Sequence, residues 1–378
     1  MLMKTSFTFG MQRGIFSLLF TALFLGFSGL SMQSFAQGVI TIKTKKAKGD
    51  KMNLRVIALG DFTVSGTEAN PKPYGEGWAT YTLTDPTITI KGKVQELNFI
   101  AVKATSITLE DCSDLVKLDC RQNELTEIAL KNTNSLRELY CVENTLTALD
   151  LSNQTQLNTL DCSMNFIKTL SLKNCPLLTF LTCYQNQLQT LDLTDCPNLE
   201  NIICSLNQIS ELKLGKVDQL TSLSATVNHL RGDAMKRVME ALPDRTGAAT
   251  PGLFGAYAGW DMNEQNQCTT EDVAIAKKKN WEVNQHDGED WVPYPGVPTS
   301  LEAMGQKAPV LYVTPSSKVL CINNATPDTY VRLYSTEGEL MAHGRTDANG
   351  ASRLHIESLA TGVYIVSIGG RTHKLLIQ

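Results

Sequence analysis

Six asparagines stand at 123, 144, 165, 186, 207 and 228, an unbroken interval of 21 residues, and the positions between them repeat in step. Aligned on that Asn, five segments read L-x-x-[LI]-x-C-x-x-N-x-[LI]-x-x-[LI]-x-L, opening at Leu115, Leu136, Leu157, Leu178 and Leu199 and carrying Cys120, Cys141, Cys162, Cys183 and Cys204. A sixth keeps Leu220, Leu223, Asn228 and Leu230 and puts Ala225 in the Cys position. Self-similarity at a fixed short period decides the architecture before any local propensity does. One such unit cannot bury its own apolar face, so successive units must stack into a solenoid.

The repeat resembles that of the bacterial internalin-like leucine-rich repeat proteins, in the 21-residue class with consensus L-x-x-L-x-[LC]-x-x-N-x-L-x-x-L-x-L. The resemblance covers residues 97–230. It includes a weaker first coil in which Leu97, Phe99, Val102, Ile107 and Leu109 hold the repeat positions without an Asn. It implies parallel β on the concave face, an irregular convex side, and a role in adhesion to host or neighbouring bacterial cells.

Each fixed position has a physical reason. Short strands such as 118–120 stack in parallel, so residues flanking each Leu alternate between interior and solvent. A buried Leu or Ile is worth roughly 1.5–3 kcal/mol, and only when a neighbouring coil covers it. The repeated Asn is expected to turn inward and bond backbone groups left unpaired as the chain bends out of the strand.

Ten cysteines behind an export signal would ordinarily suggest a disulfide framework. Five of these occupy the inward repeat position, where free Cys behaves as a small hydrophobe. Coils about 4.8 Å apart bring Cα atoms within bridging reach, but parallel side-chain vectors give poor bridge geometry. The expectation is a ladder of buried thiols. Cys112, Cys175 and Cys196 share a second repeat position and read as convex-side packing, while Cys268 and Cys321 lie outside the array. No C-x-x-C pair occurs, which argues against zinc and thioredoxin-like chemistry.

Lys4 and Arg13 precede an apolar run from Ile15 to Leu30, and Ser34-Phe35-Ala36 supplies small residues before a cleavage site. Residues 1–36 therefore read as a secretory leader, leaving no transmembrane span in the mature chain. The formal net charge of −4 becomes −6 once Lys4 and Arg13 are removed, which offers nothing to nucleic acid or anionic lipid. Residues 37–96 alternate apolar and polar in short runs such as 39–42, 54–57 and 87–90, and read as a β-rich N-terminal cap. Residues 231–285 read as a helical C-terminal cap. Asp233 is placed as N-cap of a helix bearing Met235, Val238, Met239 and Leu242, with a second helix from about Glu271 to Lys279. Pro293, Pro295, Gly296 and Pro298 mark 286–309 as a linker.

Residues 310–378 return to closely spaced β runs, including 319–322, 330–334, 354–356 and 363–366, as in a compact all-β sandwich. The stretch 331–340, then 359–366, then the tail 374–377 resemble the type A sorting domain of the type IX secretion system. The usual Tyr-Pro-Asn-Pro opening is replaced by Tyr312-Val313-Thr314-Pro315. The resemblance implies recognition by the type IX secretion machinery and delivery to the cell surface or outer membrane. Gly338 and Gly362 would serve turns with unusual backbone angles, and Lys374 would belong to the recognised tail.

No catalytic constellation emerges. None of the five His lies in an H-E-x-x-H frame, and there is no G-x-S-x-G or P-loop, so neither an enzyme nor a cofactor or metal site is expected. Asp119 and Asp161 share a repeat position two coils apart and could mimic a carboxylate pair at roughly 10 Å. Charges on a repeat face are ordinarily solvated. Arg231-Gly232-Asp233 reads as the turn and cap of the following helix rather than as a displayed recognition tripeptide.

Binding is the function such a chain can carry. Outward concave positions are free to vary with a ligand. They point to Asp119, Arg121, Tyr140, Asp161, Phe180, Thr182, Tyr184, Ile203 and Leu206 as the ligand-binding set. Aromatics beside Arg and Asp match the composition of energetic centres in protein interfaces. The expected ligand is a protein on a host or bacterial surface, with a glycan or a purely structural matrix role as alternatives.

Overall fold

The structure is a computed structural model and describes residues 38–69, 71–259, 261, 263–298, 309–314 and 318–377. The leader at 1–36, Pro315, and residues 299–308 of the expected linker lie outside the described residues.

Eight strands precede the strict repeats: β1 Val39–Thr44, β2 Lys51–Ala58, β3 Thr63–Ser65, β4 Lys72–Gly75, β5 Trp78–Thr82, β6 Thr87–Lys91, β7 Val94–Asn98 and β8 Ala104–Glu110. Their alternation of buried and open residues splits them between two sheets. One runs β3-β6-β1-β8 with Ile40, Ile42, Ile88 and Ile90 fully inside, and the other joins β4, β5, β2 and β7 in that order through antiparallel pairs. Of these, β7 is also the first rung of the parallel concave sheet.

In the repeats proper the chain forms β9 Lys117–Asp119, β10 Glu138–Tyr140, β11 Ala148–Asp150, β12 Thr159–Asp161, β13 Thr169–Ser171, β14 Phe180–Thr182, β15 Thr190–Asp192, β16 Asn201–Ile203, β17 Glu211–Lys213 and β18 Ser222–Ser224. Strands β7, β9, β10, β12, β14, β16 and β18 pair in parallel without a slip. That register lines up Leu97, Leu118, Leu139, Leu160, Leu181, Ile202 and Leu223 as one buried spine. The convex side, expected to be irregular, carries two short parallel pairs, β11 with β13 and β15 with β17. Leu149, Leu170, Leu191 and Leu212 recur there at 21-residue spacing, so neighbouring coils offer each other matching backbone edges.

The Asn ladder is what closes each coil. Oδ1 of Asn144 accepts the Leu125 amide at 3.0 Å, while Nδ2 donates to the carbonyls of Cys120 and Cys141 at 3.0 and 3.1 Å. The same pattern recurs at Asn165, Asn186, Asn207 and Asn228. The residue before each Asn adopts a left-handed backbone: Gln122, Glu143, Met164, Gln185, Leu206 and Val227 have φ from 53 to 57°. That conformation costs a non-glycine residue roughly 1–2 kcal/mol. It aims the following amide at the next coil, as when Asn186 N donates to Leu206 O at 3.1 Å.

Beyond Asn228 the pattern alters but the stack continues. The helix α1 Asp233–Ala241 is followed by β19 Gly252–Ala258, α2 Thr270–Lys278, β20 Trp281–His286 and β21 Trp291–Pro293. Both β19 and β20 extend the parallel sheet and continue the spine with Phe254 and Val283, so the segment expected to be a helical cap is largely two more coils. Gly232, at φ +49°, is the N-cap of α1 and Asp233 is its first residue, with no side-chain cap bond, where Asp233 was expected to cap. For α2, Thr269 caps with a reciprocal Asp272 capping box. The expected linker is folded through residue 298. There β21 pairs with β20, Tyr294 packs on the main core, and Val297 bridges to Thr269.

The remaining strands are β22 Val310–Thr314, β23 Val319–Asn323, β24 Tyr330–Tyr334, β25 Leu340–Arg345, β26 Ser352–His355, β27 Gly362–Ile368 and β28 Arg371–Ile377. They form two antiparallel sheets, β22-β23-β26 and β25-β24-β27-β28, around Leu320, Ile322, Val331, Leu333, Leu354 and Val366. Gly338 turns at φ +90° as expected, whereas Gly362 opens β27 opposite Ile377 and has no left-handed backbone. Lys374 is exposed on β28. No helix of the described residues is long and apolar enough to cross a membrane.

Candidate ligand-binding face

Alternation within each three-residue strand sends the central Leu or Ile inward and its two neighbours outward onto the concave face. The sheet register then decides which outward residues meet. Lys117 and Asp119 lie beside Glu138 and Tyr140, and those beside Thr159 and Asp161.

In this N-terminal half the charges are matched internally. Lys117 pairs with Glu138 at 2.6 Å, and the Tyr140 hydroxyl donates to Glu138 at 3.2 Å. Lys117 and Arg121 lie 5.1 and 5.6 Å from the Tyr140 ring centre. Asp119, expected on the open face, is only 3% exposed. Arg121 grips it through Nε and Nη2 at 2.8 and 2.7 Å, and Asn98 donates to it at 3.1 Å. Asp161 accepts the hydroxyl and amide of Ser163 at 2.6 and 3.1 Å. Both carboxylates thus have local hydrogen-bond partners, and Asp119 is withdrawn from the open face.

The C-terminal half is different. Phe180 and Ile203 stand outward on β14 and β16, and the sheet adds Leu253 on β19 and Trp291 on β21. All four are 41–50% exposed. Trp291 lies over Gly255, where a methyl group would stand 2.7 Å from its Cη2, and Gly255 is paired with Ser224, which is paired with Ile203. Asn201, Ser222 and Thr182 fill the positions between, with Glu282 flanking Leu253. Tyr184 is half-buried beside this stripe. Leu206 is partly buried in the left-handed turn and adds less open apolar surface than its repeat position suggested.

Leu253 and Trp291 were not foreseen because their strands follow α1 and α2 and carry no repeat mark. The Asn ladder likewise has an unforeseen rung. Asn266 accepts from Leu230 N at 2.9 Å and donates to Ala225 and Ala256 carbonyls at 2.8 and 2.9 Å. Glu264 closes the row by accepting the amides of Val227, Ala258 and Asn266 at 2.7 to 2.8 Å. Burial raises its carboxyl to about 7 against the pull of those amides.

The ten cysteines are all free and buried. Burial, with lesser contributions from Asp119, Asp161 and neighbouring thiols, pushes the repeat thiols far up, Cys204 to about 12, which disfavours the thiolate form. Arg231 donates to the carbonyl and side chain of Gln265 at 2.7 and 2.5 Å, which anchors the Arg-Gly-Asp tripeptide in the fold.

Searches against protein-family models and against curated proteins found no match. Among solved structures, this chain is similar to the leucine-rich effector protein YopM of Yersinia pestis, at 23% identity over 39% of this chain and 45% of that one, with a TM-score of 0.32. It is also similar to the functional domain of InlJ from Listeria monocytogenes, described as including a cysteine ladder (19% identity, 64% of this chain, 66% of that one, TM-score 0.33). A third is Listeria monocytogenes InlP (11% identity, 73% and 82%, TM-score 0.32). The chain spans less than two thirds of the first two. The class that the fold itself defines is a solenoid of parallel strands built on leucine-rich repeats.

Proposed function

We propose that this chain is an exported, non-enzymatic repeat protein that binds a protein on a host or neighbouring bacterial cell through the C-terminal half of its concave face. The observation that carries this is the apolar stripe of Phe180, Ile203, Leu253 and Trp291, half-exposed on one sheet and interrupted by the small polar Asn201, Ser222 and Thr182. Rigid aromatic and aliphatic anchors on preformed backbone lose little entropy on binding and supply most of the energy in protein interfaces. Internally neutralised charges in the N-terminal half leave that region a flanking surface rather than the anchor.

In this reading residues 37–96 and 231–285 close the two ends of the array, and residues 310–378 form a β-sandwich that acts as a type IX sorting domain, with Gly338, Gly362 and Lys374 in the recognised unit. The quoted motifs at 331–340, 359–366 and 374–377 support it. A matrix component with no dedicated ligand is the alternative, and the Arg121–Asp119 and Lys117–Glu138 pairing favours it for the N-terminal half.

The test replaces Phe180, Ile203 and Trp291 together by Ser in the full chain. Loss of attachment to host cells or to partner bacteria, with the thermal transition retained, supports the reading. Unchanged attachment rejects the concave face as the adhesive surface.

A further inference from the structure

The strand β24 alternates Tyr330, Arg332 and Tyr334 on the side facing away from its own core, and β25 places Arg345 directly opposite Tyr330. On an isolated two-sheet unit these side chains would be solvated. Arg332 is instead only 8% exposed, and its burial comes from the far end of the solenoid. Its two terminal nitrogens donate to the main-chain carbonyls of Gly259 and Asp287.

Asp287, in the turn between β20 and β21, is the counterpart. Its Oδ1 accepts the amides of Glu289 and Asp290 at 2.9 Å each, and its Oδ2 accepts the Tyr330 hydroxyl at 2.6 Å and Arg345 at 3.1 Å. The Tyr330 ring lies under both guanidinium groups, 4.0 Å from Arg345 and 4.9 Å from Arg332. Gly370, in the β27–β28 turn, sits so close to Tyr257 that a methyl group there would meet its hydroxyl at 2.4 Å.

Among the described residues the solenoid and the C-terminal sheets nonetheless keep separate hydrophobic clusters. Contacts of this polar kind, unlike a merged apolar core, let domains dock and part as units. Removing one partner strands a buried charge, so the lock is cooperative.

The position of the lock gives it a consequence. Asp287 and Trp291 belong to one hairpin, with His286 paired to Trp291 and their rings 5.2 Å apart edge to face. We propose that residues 310–378 latch onto the end of the solenoid through Arg332, Arg345 and Tyr330 at Asp287, and thereby hold Trp291 in the ligand-facing stripe. Releasing the latch loosens the β20–β21 hairpin and weakens ligand capture. The first half stands on the contacts alone, while the effect on ligand rests on the concave-face reading above and applies to the chain that retains residues 310–378.

Hydrogen exchange on the full chain tests the latch without any ligand. The double variant Arg332→Gln/Arg345→Gln is expected to exchange the amides of 286–291 at least tenfold faster, with β14 and β23 protected as before. Unaltered exchange at 286–291 overturns the latch. If the double variant also loses protection in β23, Asp287→Asn, which lies outside that unit, decides in the same way: faster exchange at 286–291 supports the latch and unaltered exchange overturns it. Attachment measured on the same variants separates the two ideas. Faster exchange with attachment reduced about tenfold supports the coupling, and faster exchange with attachment unchanged overturns it. If Phe180→Ser/Ile203→Ser also attaches like the parent, it is the concave-face reading that has failed.

Discussion

The side-chain amide of Asn186 donates to the carbonyl of Cys162, 24 residues earlier and one coil away, at 3.0 Å. Its oxygen accepts Ile167 N at 2.9 Å, and the same amide reaches Cys183 O at 3.2 Å in its own coil. A single residue thus fastens two coils and stabilises the turn that follows the strained left-handed residue before it. Apolar stacking alone would allow neighbouring coils to slide; the Asn bonds fix their register.

Replacing Asn186 by Leu keeps a buried side chain of similar size and removes these bonds together. A net cost of about 3 kcal/mol is expected, since buried polar groups left unmatched cost roughly 1–3 kcal/mol. Urea unfolding of the full chain measures it. A loss below about 1 kcal/mol would show that packing of the Leu and Cys positions holds the coils without the ladder.

The thiol ladder gives a second expectation. Burial raises Cys112 and Cys175 to about 11 and Cys196 and Cys204 to about 12. In the folded chain a thiol reagent at pH 8 should therefore label almost nothing, and ten thiols should appear in denaturant without any reductant. Fewer than ten would reveal disulfides, and rapid native labelling would place a Cys at the surface.

Glu264 supplies a pH signature. Its carboxyl is raised by burial to about 7 in the fold, against about 4.3 in an unfolded chain. The folded state therefore binds the proton more tightly, and the contribution to stability present below pH 4 is lost as pH climbs through 7. Between pH 5 and pH 8 the parent chain should lose stability relative to Glu264→Gln, which cannot titrate. Parallel urea midpoints of the two chains at both pH values check the sign. A parent that gains on the variant as pH rises would contradict it.

How much of this was readable in the sequence follows from what repeats and what does not. The spine from Leu97 to Leu223, the inward Asn and the inward Cys are fixed by periodicity, because each coil must present the same face to its neighbours. Asn266 obeys the same physics but stands 38 residues after Asn228, since α1 and its flanking loop swell that coil and hide the interval. Asp119 has the outward parity of its strand, yet its burial depends on Arg121 and on Asn98 from the preceding coil, a tertiary fact with no periodic trace. The proline spacing that suggested a linker reflects instead a segment whose β21 and Tyr294 finish the sheet and the core.

Trp291 owes its place on the concave face to the absence of a side chain at Gly255, and this gives the last prediction. Gly255 lies within β19 and has no left-handed backbone, so Ala fits its conformation, but the new methyl group would overlap the indole at 2.7 Å. Gly255→Ala should therefore displace the indole while leaving Phe254 and the spine in position. The expected readout is a red-shifted, more quenchable tryptophan emission with a stability change within about 1 kcal/mol, the range for substitutions near the surface. The Trp291→Phe chain, carrying the same Gly255→Ala change, should show no such shift. If emission changes equally in both, the indole is not what Gly255 accommodates. If it changes only when Trp291 is present and attachment falls with it, the apolar stripe extends to the last strand of the sheet, and the ligand reaches it there.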